Sequence, residues 1–198
     1  MDKHTYQTGL IGNCAFLAHV NLNTNIDWLC WPQMDSTFVF GGMLDKKKGG
    51  EFSILPEGEY NSRQYYLENT NILVTEITSA NGKYRITDFA PRFYQYERYF
   101  KPLMLIRKIT PLEGNPRVRV KCEPVCDYGG RKLKAQRGSN HIEFLGCDEH
   151  IRLTTNIPVS YLFEEEFFVV NEEKYLLLSY GQPLEAPLNS TAERFLRE

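Results

Sequence analysis

The 198-residue chain is 42% hydrophobic and 13% aromatic and carries a formal net charge of −2. That length suits one large all-β domain, since sandwiches and barrels run to about 200–250 residues, and at that size folding buries roughly 70% of the extended chain's surface without a disulfide or metal staple. The near-neutral charge excludes global recruitment of nucleic acid or anionic membrane.

The N-terminus, "MDKHTYQTGLIGN", lacks the apolar core of a signal peptide. No run approaches the ~20 apolar residues that span a bilayer. With five cysteines, odd in number and irregularly spaced, these features predict a reduced, cytoplasmic protein.

Periodicity along the chain is two rather than 3.6. In "NIDWLCWPQMDSTFVFGGMLD" (25–45), Ile26, Trp28 and Cys30 alternate with Asp27 and Leu29, which predicts a strand leaving an Asn-rich turn. Pro32 ends that strand, Asp35 and Ser36 offer oxygens to hold a bend, and Phe38, Phe40 and Leu44 return to the core, leaving Trp31 to Ser36 exposed. In "NILVTEITSANGKYRITDFAP", Ile72 and Val74 share one face and Leu73, Thr75 and Ile77 the other, with a tight hairpin turn at Asn81-Gly82. "RVRVKCEP" sets Arg117, Arg119 and Lys121 against Val118, Val120 and Cys122, a half-buried strand with a wet basic face. "FFVVNEEKYLLLSYG" predicts two strands joined at Asn171-Glu172-Glu173, the second apolar on both faces. Gly, Pro and Asn punctuate the whole chain, as in a many-stranded antiparallel sandwich. The end differs: in "NSTAERFLRE", Ser190 as N-cap and Glu193 at N3 form a capping box ahead of Phe195 and Leu196. A helix about two turns long is marginal alone, so the natural protein is expected to continue past a sandwich of residues 1–188, with 189–198 opening a linker helix.

Candidate chemistry is sparse. Cys122, Cys126, Cys147 and His150 approach a zinc-ligand spacing. In one strand, however, Cys122 and Cys126 would stand roughly 13 Å apart, so buried thiols are the expectation and no metal or cofactor is predicted. Among the basic residues from Arg117 to Arg137 (Arg117, Arg119, Lys121, Arg131, Lys132, Lys134, Arg137), the first three alternate with core residues, and Tyr128 is the only aromatic in the run, which suits a solvated face rather than a nucleic-acid groove. Glu164-Glu165-Glu166 is expected to cap a strand end or protect an edge. There is no G-x-S-x-G elbow, the histidines (His4, His19, His141, His150) form no triad pattern, and Gly41-Gly42 and Gly49-Gly50 lack P-loop spacing. Glycoside hydrolysis needs two facing carboxylates about 5–9.5 Å apart. Asp27, Asp35, Asp88 and Asp127 are possible members, each equally a turn former.

Seven segments, in order, resemble the trehalase-like N-terminal β-sandwich domain of bacterial and archaeal family 15 glycoside hydrolases (glucoamylases, glucodextranases and trehalases). They are "LIGN" (10–13), "IDWLCWPQMDSTFVFGGMLD" (26–45) with "GG" (49–50), "YLENTNILVTEI" (66–77), "GKYRITDFAP" (82–91), "LIRKITPLEGNPRVRV" (105–120), "EPVCDYG" (123–129) and "TAERFLRE" (191–198). The resemblance implies an antiparallel two-sheet supersandwich, galactose-mutarotase-like in fold. It would pack through a linker on an (α/α)6 barrel, whose two glutamates hydrolyse an α-glucosidic bond, in a substrate such as an α-glucan or trehalose, with inversion. That barrel lies outside this chain, which should hydrolyse nothing by itself. The family loop usually reads P-R-F-D-S-P-S; Pro32-Gln33-Met34-Asp35-Ser36-Thr37-Phe38 replaces its arginine with Gln33, and Asn23-Thr24-Asn25 replaces a D-G-S turn, where the asparagines can take left-handed geometry. Trp31, Gln33, Asp35 and Ser36 are the candidates for a sugar-site rim or barrel-facing loop. The alternatives are an independent carbohydrate-binding or scaffold sandwich and a small enzyme using its own aspartates. An unpartnered barrel-docking face would also let the chain pair with itself.

Overall fold

The computed structural model describes residues 7–198; His4, with the first six residues of the N-terminal segment "MDKHTYQTGLIGN", lies outside the described residues. The backbone is an all-β assembly in which every strand pairing is antiparallel. An eight-stranded sheet runs in the order Lys134–Arg137, His141–Leu145, Ile151–Thr155, Lys174–Tyr180, Met104–Gly114, Gly82–Phe89, Leu73–Ser79, Tyr60–Tyr66. A four-stranded meander (Thr8–Gly12, Leu17–Asn21, Ile26–Cys30, Phe38–Phe40) and a three-stranded sheet (Phe168–Val169, Arg117–Glu123, Glu51–Pro56) share its core. Among the described residues the α-helices are α1 (Val159–Phe163) and α2 (Leu188–Arg197), with a short 3-10 turn at Asp127–Gly129.

The main core lies against one face of the large sheet, where Leu105, Ile109, Leu176 and Leu178 meet Ile26 and Leu29 of the meander and Phe52, Ile54 and Val120 of the small sheet. The opposite face is also apolar. Met104, Ile106, Tyr175 and Leu177 alternate with the inward set and carry Ala192, Leu188, Phe195 and Leu196 of α2. This explains the "YLLLSY" run: a central strand covered by a sandwich on one side and a helix on the other needs apolar residues at both parities. The strand Arg117–Glu123 alternates as its sequence predicts, with Val118 and Val120 buried.

Several local expectations are corrected. The hairpin joining Leu73–Ser79 to Gly82–Phe89 turns on Ala80 and Asn81, with Ser79 opposite Gly82. Gly82 instead lies in the strand at φ 146°, where a Cβ would collide with the Glu113 carbonyl. In the Asn23-Thr24-Asn25 turn the left-handed residue is Thr24 (φ 64°), not an asparagine. Two strands do flank Asn171-Glu172-Glu173, as expected, and they enter different sheets. The glutamate run follows α1: the Glu164 N–H donates to the Ser160 carbonyl and the Glu166 N–H to the Tyr161 carbonyl, so the run closes a helix rather than a strand. Helix α2 starts two residues before Ser190, whose hydroxyl donates to the Pro187 carbonyl at 3.3 Å instead of capping. Leu44 is exposed rather than core.

The cysteines also depart from the expectation of free thiols. Cys126 and Cys147 are joined in a disulfide, with Cα atoms 6.0 Å apart, leaving Cys14, Cys30 and Cys122 free. Among the described residues, no three His, Cys, Asp or Glu side chains converge on a possible metal position. No helix among the described residues is long and apolar enough to cross a membrane.

Candidate functional site

The loop after strand Ile26–Cys30 is positioned by an irregularity that alternation alone does not disclose. His19 pairs with Trp28 and Val20 with Ile26, so Asp27 is an extra, bulged residue. The bulge reverses parity, and Leu29 joins Ile26 in the main core. Trp28 is left half-buried in a small cluster with Cys30, Phe38 and Val125. Asp27 accepts hydrogen bonds from the side-chain amides of Asn21 and Asn25, both at 2.8 Å, which fixes the preceding turn.

Trp31 is the main correction at this site. It is 1% exposed, with its ring 5.3 Å from Phe16 in an edge contact and 6.0 Å from Tyr180. An indole next to the core buries more apolar area than any other side chain could there, so Trp31 anchors the loop. The exposed part therefore begins at Pro32, after a cis Trp31–Pro32 peptide. Pro32, Gln33, Met34 and Asp35 are exposed and Ser36 and Thr37 partly so. The bend is closed twice: the Ser36 N–H donates to the Gln33 carbonyl and the Gln33 N–H donates to Ser36 Oγ, each at 3.2 Å. Ser36 thus holds the bend as expected; Asp35 makes no hydrogen bond there among the described residues.

A second turn faces this loop. Asp127 and Tyr128 both adopt left-handed geometry (φ 51° and 54°), and the Tyr128 N–H donates to Thr37 Oγ1 at 2.8 Å. The exposed Tyr128 ring packs edge-on against Phe38 at 5.8 Å. Arg131 ties the turn down, reaching the Asp127 carboxylate and the Gly146 carbonyl, both at 2.7 Å. Loop and turn enclose a cleft of about 260 Å³ whose walls include Trp31, Ser36, Asp127, Arg131, Asp148 and Tyr180. Burial, with the nearby Asp148 and Glu149 charges, pushes the Tyr180 hydroxyl above its ordinary value; burial and then the Asp35 charge do the same to the Cys30 thiol. With hydroxyl, carboxylate and guanidinium groups beside aromatic rings, the cleft suits a small polyhydroxylated ligand. Trp31 and Ser36 come together in it, whereas Gln33 and Asp35 project from the loop without lining it.

The remaining aspartate candidates are committed to structure. Asp88 is fully buried and paired with Arg107, with Oδ1 2.8 Å from Nε and Oδ2 3.3 Å from Nη2. Burial pushes its carboxyl up, while the guanidinium pulls it back down. Arg107 also donates to the Phe52 carbonyl at 2.7 Å and the Thr24 carbonyl at 2.5 Å, tying the large sheet to the three-stranded sheet and to a turn of the meander. Asp127 is held by Arg131. Of the basic residues, Arg117 and Lys121 pair with Glu57 and Glu51 at 3.0 and 3.2 Å. His19 and His141 are both held below the ordinary imidazole value, chiefly by burial. The disulfide was not legible in the spacing of the cysteines; the local sequence signal for the facing 127–131 turn is the Gly129-Gly130 pair after Asp127-Tyr128.

The family model described as "Trehalase-like, N-terminal" matches residues 4–166. The chain belongs to this family. This trehalase-like N-terminal domain is 34% identical over 155 residues to the trehalase of Thermoplasma volcanium, covering 76% of the chain and 24% of that protein. It is 34% identical over 170 residues to the trehalase of Thermoplasma acidophilum (82% and 29%) and 35% identical over 156 residues to trehalase 1 of Sulfolobus acidocaldarius (76% and 25%). The domain therefore spans about a quarter of the length of these relatives. No solved structure matches it.

Proposed function

We propose that this trehalase-like N-terminal domain is the non-catalytic β-sandwich of a longer cytoplasmic glycosidase of the glucoamylase/trehalase type, family 15. Its partner is an (α/α)6 barrel of the same polypeptide, in which two glutamates hydrolyse an α-glucosidic bond with inversion; the sugar is trehalose or a related α-glucan. The observation that carries this reading is the match to relatives named trehalase that are several times its length. The commitment of Asp27, Asp88 and Asp127 to structural bonds supports a catalytic centre elsewhere. On this reading Pro32 to Thr37 form a rim beside the barrel's sugar site, with Gln33 and Asp35 facing outward and Ser36 fixing the bend. The surface beside α2 supplies the docking face. There Tyr94, Tyr96 and Tyr99 are exposed on a hairpin (93–100), and Phe93 stacks on Phe195 of α2 at 5.1 Å, an aromatic composition that interfaces favour. The coding sequence past residue 198 tests the proposal: a long series of amphipathic helices with two glutamates is expected, and a stop codon overturns it. Titration of the chain alone with trehalose and maltooligosaccharides separates the alternative, since saturable binding would mark an independent carbohydrate-binding module.

A further inference from the structure

The sandwich is not closed along its whole edge. A second opening of about 260 Å³, sharing only Val125 with the cleft described above, lies between α1, the strand His141–Leu145 and the bend at Pro124. Its interior is lined by Ile142, Phe144 and Leu162, buried members of the main core, together with Leu133 and Phe163. Protein interiors are packed about as densely as organic crystals. A gap of this size among core side chains forfeits dispersion contacts on every wall, and an apolar body placed there restores them.

The mouth has a different chemistry. Lys47, Lys48 and Lys132 line it, all three are exposed, and none forms an ion pair among the described residues. Two carboxylates share the rim. Glu123 is engaged by Lys121 at 3.2 Å, which leaves Glu165 alone against three lysines. Three unpaired cations around an apolar interior suit a ligand with an acidic head and an apolar tail. A sugar is a poor match, since the interior offers almost no hydrogen-bonding side chains.

We propose that this opening is a binding site for a small soluble organic anion with an apolar body, of the medium-chain carboxylate type. The tail fills the gap beside Phe144 and Leu162 and the head is held by Lys47, Lys48 and Lys132. Calorimetric titration of the full chain with decanoate should give saturable one-to-one binding, with 1-decanol at least tenfold weaker. The triple variant Lys47→Glu/Lys48→Glu/Lys132→Glu should lose tenfold or more in decanoate affinity while its ligand-free thermal midpoint stays within about 2 °C, because all three side chains are exposed. Ala135→Trp, at the exposed lip, should block binding outright. Equal affinity for acid and alcohol, an unchanged triple variant, or no saturable binding would overturn the proposal. Co-sedimentation with phosphatidylglycerol vesicles in place of soluble binding would also overturn it, assigning the opening to a lipid surface.

Discussion

Thr24 shows how a single residue joins sheets. A β-branched residue at positive φ is strained by roughly 1–3 kcal/mol, and here the surroundings hold it there. Its hydroxyl accepts from the Ile54 N–H and donates to the Ile54 carbonyl, both at 2.9 Å, and its own carbonyl receives Arg107. Thr24→Val keeps the shape and removes both hydroxyl bonds, leaving the buried Ile54 N–H unmet and its carbonyl with only the long bond from the Tyr84 hydroxyl at 3.4 Å. Urea denaturation should show a loss of about 2–3 kcal/mol at unchanged slope; a loss under 0.5 kcal/mol would contradict this role. Arg107→Met strands Asp88 and two carbonyls in the core and should cost about 3–5 kcal/mol. Adding Asp88→Leu should recover part of that loss, since the two residues act as a unit. Asp88 reads in sequence as one of several spare carboxylates; only the approach of residues 24, 52 and 107 turns it into a structural one. Trp31 was similarly ambiguous, because an indole beside a proline suits an exposed loop as well as an anchor.

At the scale of elements, the strands whose sequences alternate cleanly, such as Arg117–Glu123, were legible, and so was the two-faced Lys174–Tyr180. What alternation could not give was the Asp27 bulge, where one extra residue exchanges Trp28 for Leu29, or the pairing of strands far apart in sequence. Helix α2 was legible through Phe195 and Leu196, although its start was not, because Glu193 has a stronger use than a capping box. Its carboxylate meets Lys108 Nζ at 2.6 Å and the Tyr175 hydroxyl at 2.9 Å, and Glu173 completes the cluster 2.7 Å from Lys108. Burial pushes the Glu193 carboxyl up, but the Lys108 and Tyr175 bonds more than offset it and hold it below its ordinary value; for Lys108, burial lowers and the two glutamates more than offset it upward. Below the ordinary carboxylate value the unfolded chain binds the extra proton first, so stability rises with pH across that window. The Glu193 contribution is therefore complete above that value and is lost as pH falls through the depressed one. Lys108 contributes below the ordinary lysine value and is lost as pH rises through its raised one. Solvent screens these partly exposed groups. Glu193→Gln should lower the thermal midpoint by about 1–3 °C at pH 7, and the difference should close as pH drops well below 4.5, the ordinary value. A gap that persists at low pH would mean that Glu193 acts through something other than its charge, and no gap at any pH would mean that α2 is held by Phe195 and Leu196 alone.

At the scale of the molecule, the large sheet does two jobs through residue parity: one face closes the sandwich and the other seats α2 beside the tyrosine-bearing hairpin. The all-β antiparallel architecture was legible because period-two patterning and turn residues recur throughout, and the family was legible because seven short segments fall in order. The loop Pro32 to Thr37 was legible as a bend held by Ser36; the position of the facing turn at Asp127 and Tyr128 was not, since the disulfide and the Arg131 bond to the Gly146 carbonyl that tie it down join residues far apart in sequence. On the proposed reading the sandwich supports chemistry carried out elsewhere in a longer polypeptide. Glucose release from trehalose tests this most directly, measured for the chain of residues 1–198 alone and for its parent protein. No release by the chain alone and turnover by the parent is the predicted result; turnover by the chain alone would contradict it.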